Sequence, residues 1–341
     1  MIDVPGKEQQ EIRMKRSDPS PILSRLRKLR EMCQFLNTQE GFRRDPFLTL
    51  FRLAVWHWNC LWGKASTVRL RRWGVRMFLP GKWRGFGKFI FAFREHYEPE
   101  LTYLEKVLSP GKTFIDAGAN FGVYTLVAGK IVGETGRVLA FEPSVQSFPV
   151  LHHNVALNGL MNASAYRLAL SEKSGKAWLY HGRDPVQNSL GRDPSSSGEG
   201  EEVDTESLDN VLRKAGVEHV DVIKLDVEGA EEMILRGAMR TLTVDRPVVI
   251  FEVNEAAARG LGLSPQGARE LLRSLDYQVF VLGQLEDGHA QKPALTYFNV
   301  VAAPRQQKTT PSLQGALQDN EERPQAASNR KLLPRVDGLP G

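Results

Sequence analysis

The run Phe114-Ile115-Asp116-Ala117-Gly118-Ala119-Asn120-Phe121-Gly122 constrains the fold more than any other part of this chain. An apolar strand-like segment enters a D-x-G-x-N-x-G turn, and a helix-like segment, Val123–Val132, follows at once. Gly118 and Gly122 remove side chains where backbone has to approach another group closely. The first turn of the following helix offers free N–H groups. The spacing differs from the G-x-G-x-x-G of dinucleotide-binding turns. A tight strand–helix turn with no ligand would satisfy the same glycines, so the turn alone leaves both readings open.

The alternation continues beyond the turn. Strand-like runs at Lys112–Ala117, Arg137–Phe141, Ala163–Leu170, Val220–Asp226 and Pro247–Val253 are interleaved with helix-like runs. The helices are expected at Val123–Val132, Val145–Leu157, Leu208–Ala215, Ala230–Leu235 and Pro265–Leu275, and two strands, Gln278–Leu282 and Tyr297–Ala302, come last. Such a pattern predicts an α/β fold, a mostly parallel sheet covered on both faces, to which a terminal strand pair can add an antiparallel edge. Ahead of it, residues 67–79 read as a hairpin turning near Gly74, and residues 95–108 as a helix ended by Pro110-Gly111. Residues 183–202 are polar and rich in Gly and Ser, which predicts a surface loop.

Acids at the strand ends suggest chemistry. Asp116 would repel a pyrophosphate but suits the cationic amino group of S-adenosylmethionine. Glu142, 26 positions later at the end of the second strand, can hold both hydroxyls of a ribose. That identifies a nucleoside rather than a reaction, and a surface Glu beside Pro143 is the plainer alternative. The run Ile223–Glu231 delivers Asp226 and Glu228 to the carboxyl edge of the sheet, with Lys224 on the same side as Asp226. Glu252 and Asn254 reach that edge from the next strand. Together Asp226, Glu228, Lys224 and Glu252 could deprotonate or orient a substrate hydroxyl. Helix capping or a salt bridge would explain Glu228 and Glu231 equally well. The acids could also bind a divalent cation, but no dense Asp/His cluster with ligand spacing appears, so no metal is expected.

The chain resembles the FkbM family of methyltransferases. The residues that carry the resemblance are Tyr97-Glu98-Pro99, Pro110-Gly111-Lys112, Ile115–Gly122, Phe141-Glu142-Pro143, Asn154, Leu157-Asn158-Gly159, Ala169-Leu170-Ser171, Leu208-Asp209 and, most specifically, Ile223–Glu231. It covers about residues 66–303. It implies a class I, Rossmann-like three-layer fold with a seven-stranded sheet, and methyl transfer from S-adenosylmethionine to a hydroxyl of a carbohydrate, glycolipid or secondary metabolite. By matching positions, Asp116, Gly118, Asn120, Gly122 and Glu142 would bind the cofactor, with Glu98, Ala119, Ala169 and Asp226 as further candidate contacts. Asp226 and Glu228 would lie beside the transferring methyl. Many relatives have His where this chain has Asn254, which puts a His base at that position in doubt. A nicotinamide-dependent oxidoreductase and a non-catalytic S-adenosylmethionine-binding module are the rival readings.

Composition enters through charge. Overall the chain carries a net +5. Met1–Arg94 has 20 Lys and Arg against 7 Asp and Glu, so this third alone carries +13 and the remainder −8. Between residues 52 and 94 cations alternate with aromatics, among them Trp56, Trp58, Trp62, Trp73, Trp83, Phe86 and Phe89. A packed cap with solvated cations, an anionic membrane surface and a nucleic-acid surface are the three readings, the last weakest because no RNA-binding module is recognisable. The longest apolar stretch, Leu48–Trp62, contains Arg52, His57 and Asn59 and is too short to span a bilayer. The polar start reads as no signal peptide, and Cys33 and Cys60 form no CxxC pair. The expectation is a cytoplasmic protein with peripheral membrane contact left open. Its organisation would be a disordered residues 1–20, a basic aromatic helical extension at 21–65, a methyltransferase domain at 66–303 and a disordered tail at 304–341.

Overall fold

The computed structural model describes residues 39–82, 87–182, 188–190, 199–281 and 297–305, together with Arg30, Cys33, Leu36 and Asn37. The expectations for residues 1–20 and for the tail beyond Arg305, and the helical spacing of Ile22, Leu23, Leu26 and Leu29, lie outside the described residues, as do Trp83 and Phe86.

From Gln39 on, where the described residues become continuous, the first elements are a short helix, α1 (Glu40–Arg44), and a longer helix, α2 (Pro46–Leu61). Asp45 starts α2: its carboxylate accepts the Leu48 N–H at 2.9 Å, and Pro46 occupies the first turn. Strands β1 (Ser66–Leu70) and β2 (Val75–Leu79) form the hairpin, turned by Gly74 at φ 66°. Two helices follow, α3 (Gly87–Phe93) and α4 (Pro99–Val107).

The alternation then runs β3 (Thr113–Ala117), α5 (Val123–Val132), β4 (Arg137–Phe141), α6 (Phe148–Leu157) and β5 (Ala163–Tyr166). It continues with β6 (Ala169–Leu170), β7 (Gly175–Tyr180), β8 (Gly200–Glu206), α7 (Leu208–Lys214), β9 (Val222–Leu225) and α8 (Glu231–Arg236). The last elements are β10 (Val248–Asn254), α9 (Glu255–Gly260), α10 (Gly267–Ser274), β11 (Tyr277–Val281) and β12 (Tyr297–Pro304).

Seven strands make one sheet in the order β11-β12-β10-β9-β3-β4-β5. Neighbours from β10 through β5 are parallel, and β12 is antiparallel to both β10 and β11. The antiparallel strand is therefore set inside the sheet, and the edge strand β11 runs with the parallel set. The connection from Asn254 to Tyr277 makes this possible, because there the chain passes over β12's place, and β12 then fills it between β10 and β11. β3, β4 and β9 are almost wholly buried, which is why they read as mainly apolar runs, interrupted by Asp116 in β3, the exposed Arg137 that opens β4 and Lys224 in β9.

Each face of the sheet has its own core. One holds Phe114, Leu126 and Val138 together with Leu101 and Leu104 of α4, Met77 and Leu79 of the hairpin, and Trp56 of α2. The other holds Ile115, Phe141, Leu225, Leu235 and Phe251. Trp56 is 1% exposed, so α2 packs into the same apolar mass as the sheet.

Polar side chains fix the hairpin in place. Phe78 N–H donates to Asn154 Oδ1 at 2.7 Å, and Asn154 Nδ2 donates to the carbonyls of Phe78 at 3.1 Å and Phe121 at 2.9 Å. One turn later Asn158 repeats the pattern on Arg76, accepting its N–H at 2.8 Å and donating to its carbonyl at 2.6 Å. The two asparagines on one face of α6 thus act as an extra strand for β2.

Three expectations need correcting. Ala163–Leu170 is not one strand. The chain leaves the main sheet after Tyr166, and Ala169-Leu170 pairs with β8 in a separate three-stranded sheet, β6-β8-β7. Residues 183–202 are not simply a surface loop either, since 200–202 begin β8 and Ser189 is buried. Helix α6 starts at Phe148, three residues later than Val145, because Ser144 first closes a turn with its hydroxyl on the Gln146 and Ser147 N–H groups.

Candidate active site

The sheet reverses its winding between β3 and β9, and the carboxyl ends of those strands are where an open α/β sheet presents a crevice. Gly118 lies on that boundary with φ 77°. A Cβ added there would sit 1.9 Å from the Asp226 carbonyl oxygen. The turn after β3 and the turn after β9 are thus in backbone contact, which only glycine permits. Gly122, at φ 91°, caps α5, and a Cβ there would meet Leu151 at 2.6 Å.

A cleft with roughly 580 Å³ of empty space opens above this junction. Of the residues singled out from sequence, Gly118, Asn120, Glu142, Ala169 and Asp226 line it. Glu142 is 6% exposed, and its two oxygens accept the Asn120 N–H at 2.8 Å and the Ser144 N–H at 3.0 Å. Each oxygen keeps a lone pair for a ligand. Burial lifts its carboxyl to about 7. Asn120 takes φ 50°, and its Oδ1 is buried with no hydrogen-bond partner, an acceptor aimed at nothing in the chain.

The other predicted cofactor contacts do not line the cleft. Asp116 is 1% exposed and accepts the Thr125 hydroxyl at 2.5 Å, and burial lifts it to about 6. Ala119 donates its N–H to the Phe141 carbonyl, which fixes the turn. Glu98 accepts the Tyr124 hydroxyl, and burial followed by the nearby Glu100 raises it to about 7.

Sequence reasoning missed the apolar wall, which is Leu168 just before β6, Leu170 in β6, Leu179 of β7 and Leu190, with Asn188 beside it. Ser189 anchors that last piece, donating to the Glu228 carbonyl at 2.8 Å. The apolar Leu168-Ala169-Leu170 run was the available signal, but it read as strand interior.

Behind the cleft lies a charged cluster. Lys224 is 3% exposed; its ammonium sits 2.9 Å from Asp226 Oδ2 and 4.3 Å from the centroid of the Tyr124 ring. Burial alone would favour the neutral amine, yet Asp226, Glu98 and Asp116 together hold its pKa above the ordinary value. Burial would likewise raise half-buried Asp226, but the Lys224 charge prevails and keeps it below the usual carboxylate range. Glu252 is in hydrogen-bond contact with Asp226. Glu228, at φ 50° and buried, accepts Asn254 Nδ2 at 2.8 Å, and Asn254 Oδ1 accepts the Ala257 N–H to cap α9. Lys224 and Glu252 contact Asp226, and neither they nor Glu228 line the cleft. Among the described residues no group of three or more His, Cys, Asp or Glu is placed to hold a metal ion.

Sheet order, the single antiparallel strand, the Gly118 turn and the acid ending the second strand define a class I methyltransferase fold of the Rossmann-like kind. Residues 116–279 match the model of the Methyltransferase FkbM domain. The methyltransferase sdnD of Sordaria araneosa is 32% identical, over 38% of this chain and 61% of its own length. Methyltransferase 1 of Beauveria bassiana is 26% identical, over 38% and 59%. The chain thus spans about three fifths of the length of these curated relatives. A crystal structure of Methyltransferase FkbM from Methylobacillus flagellatus KT aligns at 15% identity with a TM-score of 0.38, covering 64% of this chain and 53% of that one.

Proposed function

We propose that this chain transfers a methyl group from S-adenosylmethionine to a hydroxyl oxygen of a carbohydrate, glycolipid or secondary-metabolite acceptor. The observation that carries this reading is the cleft over the Gly118–Asp226 junction, where a buried, unpartnered Asn120 Oδ1 and the free lone pairs of Glu142 face an apolar wall. Those acceptors suit the hydroxyls and ammonium of an aminoacyl nucleoside, and Leu168, Leu170, Leu179 and Leu190 suit its base. When bound, S-adenosylmethionine supplies an electrophilic methyl on a sulfonium centre. Gly118 lets the turn that carries Asn120 close against the Asp226 backbone beneath the cleft.

Asp226 is the one carboxylate of the Lys224–Glu231 run that reaches the cleft. With Lys224 holding it ionised, it is a weak base and a strong hydrogen-bond acceptor. Its role is to align the acceptor hydroxyl, the larger part of what an in-line displacement needs. Glu252, which shares a hydrogen bond with ionised Asp226 and so itself carries the proton of that bond, holds Asp226 in place, and the acceptor's proton passes to solvent.

Incubation with methyl-labelled S-adenosylmethionine and fractionated lipid and glycan extracts tests the reading. Label should enter an alkali-stable ether. Label in an alkali-labile ester would contradict hydroxyl methylation, and no transfer to any fraction would contradict the reading as a whole.

A further inference from the structure

Helix α2 is apolar on two sides. Its inner side buries Thr49, Trp56 and Cys60. Its outer side carries Phe47, Phe51, Trp58, Leu61 and Trp62, exposed by 88%, 65%, 62%, 63% and 65%. With exposed Ala54 between Phe51 and Trp58, apolar residues recur at steps of three and four and make one continuous stripe along the helix. At about 1.5 Å per residue the stripe is roughly 22 Å long. Soluble surfaces seldom show a contiguous apolar strip of this kind unless it meets a partner.

Charge identifies the partner. From Pro46 through Arg94 the sequence contains ten Lys and Arg and no Asp or Glu. Arg72 finds its carboxylate outside the stretch, in Glu105. A second copy of this chain docking through the same stripe would bring two cationic surfaces together, because a two-fold interface is self-complementary. Two indoles, Trp58 and Trp62, meet edge to face at 6.1 Å on the C-terminal end of the helix. Exposed tryptophans flanked by cations suit the headgroup level of a bilayer. No helix among the described residues is long and apolar enough to cross a membrane, so the contact would be peripheral.

The hairpin sets the orientation. The chain leaves α2 at Trp62, and the Lys64 carbonyl packs against Gly81, where a Cβ would lie 2.3 Å away. From there Lys82 Nζ reaches Gln146 Oε1 at 3.5 Å, three residues from Pro143 of the cleft wall. The segment after the tryptophan end of α2 is thus tied, through Gly81 and Lys82, to residues next to the cleft wall.

We propose that the exposed stripe of α2, with the acid-free cationic stretch around it, docks this protein on an anionic lipid surface. Aromatic side chains enter the headgroup region and Lys and Arg neutralise lipid phosphates. The test uses the full chain with vesicles of phosphatidylcholine alone or of phosphatidylcholine and phosphatidylglycerol. The chain should pellet with the mixed vesicles and not with phosphatidylcholine alone, and the bound fraction should fall as salt rises. Brominated acyl chains should quench its tryptophan fluorescence. A Phe51→Ser, Trp58→Ser, Trp62→Ser variant should melt at the wild-type temperature and bind the mixed vesicles about tenfold or more weakly. No pelleting at low salt, equal pelleting by the variant, or no quenching in the wild type would overturn the proposal. So would a wild-type dimer that ignores vesicles and becomes monomeric in the variant, which would make the stripe an interface between copies.

Discussion

Gly118 shows how one residue joins two parts of the site. Its neighbour across the sheet is the Asp226 carbonyl, so a methyl group at Gly118 would force the two turns apart. Gly118→Ala should cost more than about 2 kcal/mol, from the positive φ and the backbone collision together. It should also abolish nucleoside binding; urea unfolding and calorimetry would read the two losses separately. Lys224 is the second such residue. Lys224→Met leaves Asp226, Glu98 and Asp116 without their shared cation, and should destabilise by about 2–3 kcal/mol once solvent at half-exposed Asp226 is allowed for. A variant as stable as the wild type would mean that these carboxyls simply take up protons. The sequence made Asp116, Glu142 and Asp226 visible as acids at strand ends. It could not show that Asp116 turns to Thr125 while Glu142 and Asp226 face the cleft, because that depends on rotamers set by packing.

Elements were legible where periodicity and local stops agreed. The Val123–Val132 helix and the Arg137–Phe141 strand have the bounds expected of them, since glycine turns delimit the first and burial on both sides defines the second. The β6-β8-β7 sheet was not legible. Gly175–Tyr180 and Gly200–Glu206 are mixed in polarity with much of their surface in solvent, so neither alternation nor an apolar run marks them. Their pairing is set by contacts distant in sequence. Asn154 and Asn158 stood out only through resemblance, and the structure supplies the physical reason, a hydrogen-bonded clamp on β2. Asn154→Ala would leave the Phe78 N–H and the Phe121 carbonyl without these bonds in a part-buried site. A loss of about 1–3 kcal/mol is expected. Hydrogen exchange should show it first in residues 75–79, and unchanged protection there would contradict the clamp.

At the scale of the whole molecule, the asymmetry of charge separates two tasks: a basic aromatic face around α2 and an acidic region with the cleft. Buried carboxyls in that region make stability depend on pH. Asp116 and Glu142 titrate at about 6 and about 7 in the fold, above the roughly 4 of an unfolded carboxyl. Because the folded form holds these protons more tightly, their contribution is complete below about pH 4 and disappears as pH rises through 6 to 7. The difference in urea midpoint between wild type and Glu142→Gln should therefore grow over that window, and a difference independent of pH would contradict the assignment. A ligand whose ammonium pairs with ionised carboxyls should reverse the trend and bind more tightly at the upper end. The most direct measurement is calorimetric titration with S-adenosylhomocysteine at pH 8. Wild type should bind one equivalent, and Glu142→Ala, folded by circular dichroism, should give no heat of binding. A wild-type chain that gives no heat, or a Glu142→Ala chain that binds as well as wild type, would contradict the central claim.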